Sequence, residues 1–382
     1  MGTLSFLGTF FYAFQLLNNW PRAIFLLWER SSPVPVPVLP LLLSRPPFDD
    51  RLFANSLDDI RNVYGKVLLS ACSDSDNHTS GTIFGDYSVF VTSRNRDNTT
   101  GAATARIVVR DIWMAAIGDS FASGEGNPDV RTSENSTAEW ISSPCHRSRK
   151  SWPYRIFESV RRQNPDAVVH FSYLACTGAT VERGVLGPPG FAQFATLTAI
   201  ARERGLGPDL LMLSVGGNDV GYAEILEGLQ ARESQSMLSF LDWRFYYVTS
   251  QLTAVREAIS QLAPLQVLLP LYFDFSRNER GEIDASCEDM NNIRTADVAL
   301  AERMVLARLN SLLLQTGRDA GWTVEERIPA LFRRGGICSK HRLIRSLSDS
   351  LSIQGDPLGA FHPNEEAHSR IAEMLVSRLR PL

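Results

Sequence analysis

Four short blocks, far apart in the chain, hold residue types that could do chemistry together. The first is IGDSFASGEGNPD at 117–129, where Ser120 follows Gly118 and Asp119. A serine hydroxyl becomes a nucleophile only when a base takes its proton. The last block is FHPNEEAH at 361–368, where His362 stands on a loop ahead of a helix. Imidazole titrates near neutrality and is the usual general base. Between them lie LACTGATV at 174–181 and SVGGNDVGY at 214–222. These offer Gly178, whose N–H can point into a site, and Asn218, whose amide carries two donors. A nucleophile, a base and N–H donors for a developing oxyanion are what acyl transfer requires. Each block alone has a plainer meaning. GDS is a common turn, Gly178 an ordinary turn glycine, Asn218 or Asp219 a helix cap. His368 reads as a packing or surface histidine. The first block is not GxSxG, so the nucleophile elbow of α/β-hydrolases is not supported.

The elements that must position these blocks follow a regular rhythm from residue 111 onward. Short apolar runs at 112–117, 167–175, 209–215, 265–272 and, more weakly, 321–326 read as strands. Helical patterns fill 152–163, 191–205, 236–263, 296–316 and 363–379 between and after them. Pro363 suits the first position of the last helix. Strands alternating with helices predict an α/β fold with a central parallel sheet flanked by helices. Three of the blocks follow strands, and ligands in such sheets gather beyond the strands' carboxyl ends.

The chain has 382 residues, enough for more than one domain, and reads in three parts. Residues 1–30 are an apolar N-terminal segment. Its run at 4–17 has the length of a signal-peptide core, but no Lys or Arg precedes it. A signal or anchor and an irregular segment packed on the chain both stand open. Residues 31–110 form a small β-rich module of unassigned role. It begins with a proline-rich stretch at 32–47, which forbids helix, and has an alternating strand pattern at 87–95. Residues 111–382 are the region of alternating strands and helices. With 38 basic and 42 acidic residues there is no basic excess of the kind phosphate contacts need, so no nucleic acid is expected as a partner. The five cysteines include no CxxC pair, and on their number alone the compartment stays open.

Taken in order, Ser120, Gly178, Asn218 and His362 resemble the four blocks of the SGNH hydrolases, also called the GDSL lipases and esterases. The resemblance covers about 111–382. It implies a flavodoxin-like, three-layer domain with a central parallel sheet, and a carboxylic ester hydrolase working through an acyl-enzyme on Ser120. It makes His362 the base and the Ser120 and Gly178 N–H groups with the Asn218 side chain the oxyanion hole. It calls for no metal and no cofactor. CHRSRKSWPYRI at 145–156 is similar to the secreted bacterial lipase branch. That likeness implies disulfides Cys145–Cys176 and Cys287–Cys338, leaves Cys72 free and favours an extracytoplasmic location. The substrate is then a small-molecule or lipid ester, with a membrane surface as one place to meet it. Oligomeric state is left open. A carbohydrate O-acetylesterase, or a non-catalytic binding or adhesion protein with a vestigial site, are the other readings. One departure stands out. The family places an acid three residues before the histidine, and here that residue is Gly359. Asp356 is the nearest acid. The expectation is a Ser–His dyad with a backbone carbonyl on the ring, Asp356 being the candidate third member.

Overall fold

The computed structural model describes residues 110–187, 192–232, 240–291 and 293–382, together with the backbone of strands at 27–28, 68–69, 85–94 and 100–109. The readings of residues 1–26 and of the proline-rich stretch lie outside the described residues. The chain divides into two compact units, with the change between Val109 and Arg110. In the first, β1 (Leu27–Trp28) pairs in parallel with β2 (Leu68–Leu69). There β3 (Gly85–Arg94) also pairs antiparallel with the first half of β4 (Thr100–Gly118). The boundary read near 110 falls within β4, which runs on unbroken because no Gly or Pro interrupts 102–117.

The second unit is built on the later half of β4 with β5 (Ala167–Tyr173), β6 (Leu210–Ser214), β7 (Gln266–Pro270) and β8 (Thr323–Glu325). These five run parallel in the spatial order β5-β4-β6-β7-β8. Counted from β4, that is second, first, third, fourth, fifth. The order reverses between β4 and β6, and a crevice opens at such a switch point. Residues Ile112 to Ile117 and every residue of β6 and β7 are buried. Strands covered on both faces read as unbroken apolar runs, which is why these were legible.

The helices are α1 (Ser120–Ser123), α2 (Trp152–Gln163), α3 (Gln193–Arg204), α4 (Tyr222–Gln230), α5 (Leu241–Leu262), α6 (Thr295–Ala301), α7 (Ala307–Asp319), α8 (Ile328–Phe332), α9 (Leu347–Gln354) and α10 (Glu365–Val376). Helix α10 packs on α2, and α5 on α3 and α7. The single helix expected over 296–316 is instead α6 and α7 joined by a π turn, Glu302–Leu306. Pro363 is not the first helical residue. Asn364 takes the cap, its side chain accepting from Ala367 N at 2.9 Å, and Pro363 stands before it.

Candidate active site

Ser120 is placed by the end of β4. At Gly118 the backbone turns through φ +136°, and a Cβ there would lie 2.0 Å from the Ser214 carbonyl oxygen of β6. Only glycine lets the two strands approach this closely where the chain must also turn. The Gln193 side chain clasps the same residue on both its N–H and its C=O. Its Oε1 accepts from Gly118 N at 2.6 Å and its Nε2 donates to Gly118 O at 2.8 Å. Asp119 follows, buried, and caps α1 by accepting from Phe121 N at 3.1 Å. It also accepts from Ser214 Oγ at 2.6 Å and from the Tyr272 hydroxyl. Phe121 points into the core against Trp152 and Phe273, so Ser120, one residue earlier, is left half-buried at the crevice.

His362 arrives from the other side, on the loop between α9 and α10. Its Nε2 lies 2.8 Å from Ser120 Oγ, and its Nδ1 lies 3.1 Å from the Ala360 carbonyl oxygen. A carbonyl can only accept, so Nδ1 carries the proton and Nε2 is left to accept from the serine hydroxyl. The Asp356 carboxylate is not brought to the ring. Its Oδ1 accepts from Gln354 Nε2 at 2.6 Å and from Leu358 N at 2.8 Å, so it builds the turn before His362.

The two middle blocks meet each other beside Ser120. Asn218 Nδ2 donates to Ala179 O at 2.9 Å, which fixes the amide and leaves its second N–H for a ligand. Asp219 Oδ1 accepts from Val181 N at 2.9 Å. Cys145 is joined to Cys176 and Cys287 to Cys338. Beside the first bond, Cys176 N donates to Gly118 O at 3.0 Å and Thr177 N to Cys145 O at 3.1 Å. Gly178 stands exposed after them, and neither its N–H nor that of Ser120 has an acceptor among the described residues. Among the described residues, no three His, Cys, Asp or Glu side chains converge as a metal site would need.

The acids around the crevice are tuned differently. Burial pushes the Asp119 carboxyl up, against its three hydrogen bonds. Burial also pushes Tyr272 well above its ordinary value, helped by the Asp119 charge. Asp219 is pushed up to about 6 by burial, with the Val181 N–H opposing. Glu125 goes the other way. Burial would raise it, but the His146 ring, within 2.9 Å of both oxygens, and the charge of His362 hold it at about 2. In turn the bond to Glu125 raises His146, whose ring stacks on Trp140 at 4.5 Å. A lowered acid stabilises the fold fully above its ordinary 4.5 and loses that as pH falls toward about 2. A raised histidine stabilises it fully below its ordinary 6.5 and loses that as pH climbs past its folded value. The pair is therefore complete between pH 4.5 and 6.5. His146→Asn, which tolerates the residue's φ of +46°, is expected to lower the melting temperature most in that window. Scans from pH 3 to 9 check this; a deficit that grows steadily above pH 7 would reject it.

Several site residues gave little signal in the sequence. Gln193 sits in a helical pattern whose periodicity says nothing of what its amide binds. Tyr272 closes the apolar run at 265–272 and reads as the end of a strand. His368 is on α10 and fully buried, its Nδ1 accepting from Trp152 N at 3.2 Å. Burial pushes it down to about 3, so it is a neutral packing residue, as one of its two plain readings has it.

The sequence model of the GDSL-like lipase/acylhydrolase family matches residues 116–370, a span that holds Ser120, Gly178, Asn218 and His362. The chain belongs to this family. As a GDSL hydrolase it is a serine-type carboxylic ester hydrolase. Lipase 1 of Streptomyces coelicolor is 31% identical to it over 260 residues, covering 65% of this chain and 82% of the relative. A lipase of Streptomyces rimosus is 27% identical over 205 residues, covering 49% and 67%. Among solved structures, phospholipase A1 from Streptomyces albidoflavus is 19% identical, with a TM-score of 0.48 over 70% of this GDSL hydrolase and 98% of that chain.

Proposed function

We propose that residues 111–382 hydrolyse lipid or other long-chain carboxylic esters through an acyl-enzyme on Ser120. The observation that carries this reading is the 2.8 Å contact between His362 Nε2 and Ser120 Oγ, with Nδ1 engaged by a carbonyl. His362 takes the hydroxyl proton as Oγ attacks the ester carbonyl. Charge then builds on the carbonyl oxygen. The Ser120 and Gly178 N–H groups and the free N–H of Asn218 receive it, and a donor of this kind is worth about 10²–10³ in turnover. His362 returns the proton to the departing alcohol, and water repeats the sequence on the acyl-enzyme. The lipase relatives support a lipid or long acyl chain. So do the exposed rings of Phe240, Trp243 and Tyr246 at the start of α5, side chains of the type that settle at lipid–water boundaries. Two disulfides support an extracytoplasmic location.

A fluorophosphonate probe is expected to label the folded protein once, on the peptide that holds Ser120. Hydrolysis should then rise with acyl length across a p-nitrophenyl series from acetate to palmitate. A folded protein that takes no label would reject the mechanism. Hydrolysis of acetate alone would move the substrate to O-acetylated carbohydrate.

A further inference from the structure

Ser120 and His362 lie on segments far apart in sequence, and the Nδ1 bond of His362 does not tie them together. Ala360 belongs to the same loop as His362, so that bond sets the tilt of the ring and not its distance from the serine. The tie lies elsewhere. Asn127, on the Ser120 loop, is fully buried. Its Nδ2 donates to Pro363 O at 2.9 Å and to Glu125 O at 3.0 Å. Its Oδ1 accepts from Arg345 Nη2 at 2.8 Å, while Arg345 Nε donates to Gly126 O at 3.1 Å. The backbone of Arg345 holds the histidine loop on its other side: its N donates to His362 O at 2.8 Å, and its O accepts from Phe361 N at 2.9 Å. One asparagine and one arginine thus join the Ser120 loop to the peptides on both sides of His362.

The histidine loop needs holding. Phe361 has φ +64°, a conformation that a bulky residue adopts only when its surroundings impose it. Gly359 sits so close to the Ser120 loop that a Cβ on it would lie 2.6 Å from Gly126 Cα. Small rotations about the Phe361 backbone would swing the imidazole away from Oγ.

We propose that Asn127 and Arg345 are positioning residues, a clamp that sets His362 at transfer distance from Ser120 where no carboxylate reaches the ring. The proposal rests on the Ser120–His362 mechanism above. Its consequence is specific to the proton. Nitrophenolate leaves an ester without needing a proton, whereas an alkoxide must receive one from His362. A displaced imidazole therefore harms alkyl esters more than nitrophenyl esters. A smaller fraction of folded enzyme harms both alike.

The test compares ethyl butyrate with p-nitrophenyl butyrate in wild type, Asn127→Asp, Arg345→Met and Ser120→Ala. Asn127→Asp keeps size and the contact to Arg345, but turns a carboxylate oxygen on the carbonyls of Pro363 and Glu125. Arg345→Met keeps the backbone bonds to the histidine loop and removes the guanidinium, so it decides the matter even if the first variant does not fold. Each is expected to lower kcat on the ethyl ester by about 10²-fold, as a displacement on the order of 1 Å does. On the nitrophenyl ester the fall should be at least about fivefold smaller, with KM held within about twofold. Equal falls on both esters, or no fall in a folded variant, would overturn the clamp. Full activity in Ser120→Ala would instead overturn the mechanism beneath it.

Discussion

Ser120→Ala and His362→Ala are each expected to lower kcat/KM for ester hydrolysis by about 10⁴–10⁶-fold, and the double variant to lose no more than either alone. In the proposed mechanism the two groups act as one device. With Oγ gone there is nothing for the imidazole to deprotonate, and with the ring gone the hydroxyl keeps its proton. Ser120→Ala removes one oxygen from a half-buried position, so the fold should persist. Asp356→Asn is expected to stay within about tenfold of wild type. Its Oδ1 accepts from both Gln354 Nε2 and Leu358 N, and an asparagine Oδ1 can accept from both. Steady-state rates on one ester, with melting temperatures for each variant, check all four. A loss in Asp356→Asn as deep as that in His362→Ala, at an unchanged melting temperature, would show that the carbonyl of Ala360 does not suffice to hold the ring.

The backbone order of this domain was legible because its physics is local. Leu210–Ser214 and Gln266–Pro270 are buried on both faces and read as apolar runs. The glycines and polar residues at their ends mark where chemistry can stand. The four blocks became one site only through topology. Nothing near Ser120 in sequence says that Pro363 O lies against Asn127, or that Gln193 closes on Gly118. Those bonds depend on the placement of α3 and of the loop after α9, which periodicity does not encode. Phe361 is harder still. A phenylalanine gives no local sign of a left-handed backbone, and this one is imposed by Arg345, by the Tyr222 hydroxyl at 3.4 Å and by the ring of Phe275. Pro363 and Asn364 compete for the start of α10. The side chain that can accept a hydrogen bond takes the cap.

Gly118→Ala is expected to destabilise the protein by about 3 kcal/mol or more and to slow fluorophosphonate labelling of the folded fraction by about 10²-fold. Two separate costs meet at this residue. Its φ of +136° is open to glycine and closed to residues with a Cβ. The added carbon would also stand 2.0 Å from Ser214 O and 2.9 Å from Ser214 N and C, all backbone atoms of the neighbouring strand. Backbone cannot rotate aside as a side chain can, so β4 and β6 would have to part where Gly118 and Ser214 are in register. That separation pulls on Asp119 N, which donates to Ser214 O at 3.1 Å, and on the Gln193 clasp. Ser120 follows Asp119, and Asn218 follows β6, so the serine and one proposed oxyanion donor would move apart together. Gly321→Ala separates the two costs. Gly321 has φ +70°, and nothing lies within 4 Å of the carbon it would gain. That variant should lose only about 1–2 kcal/mol, from conformation alone, and label at the wild-type rate. Urea midpoints and labelling rates measured side by side decide between them. Equal losses in the two variants would mean that the close approach of β4 and β6 plays no part in holding Ser120.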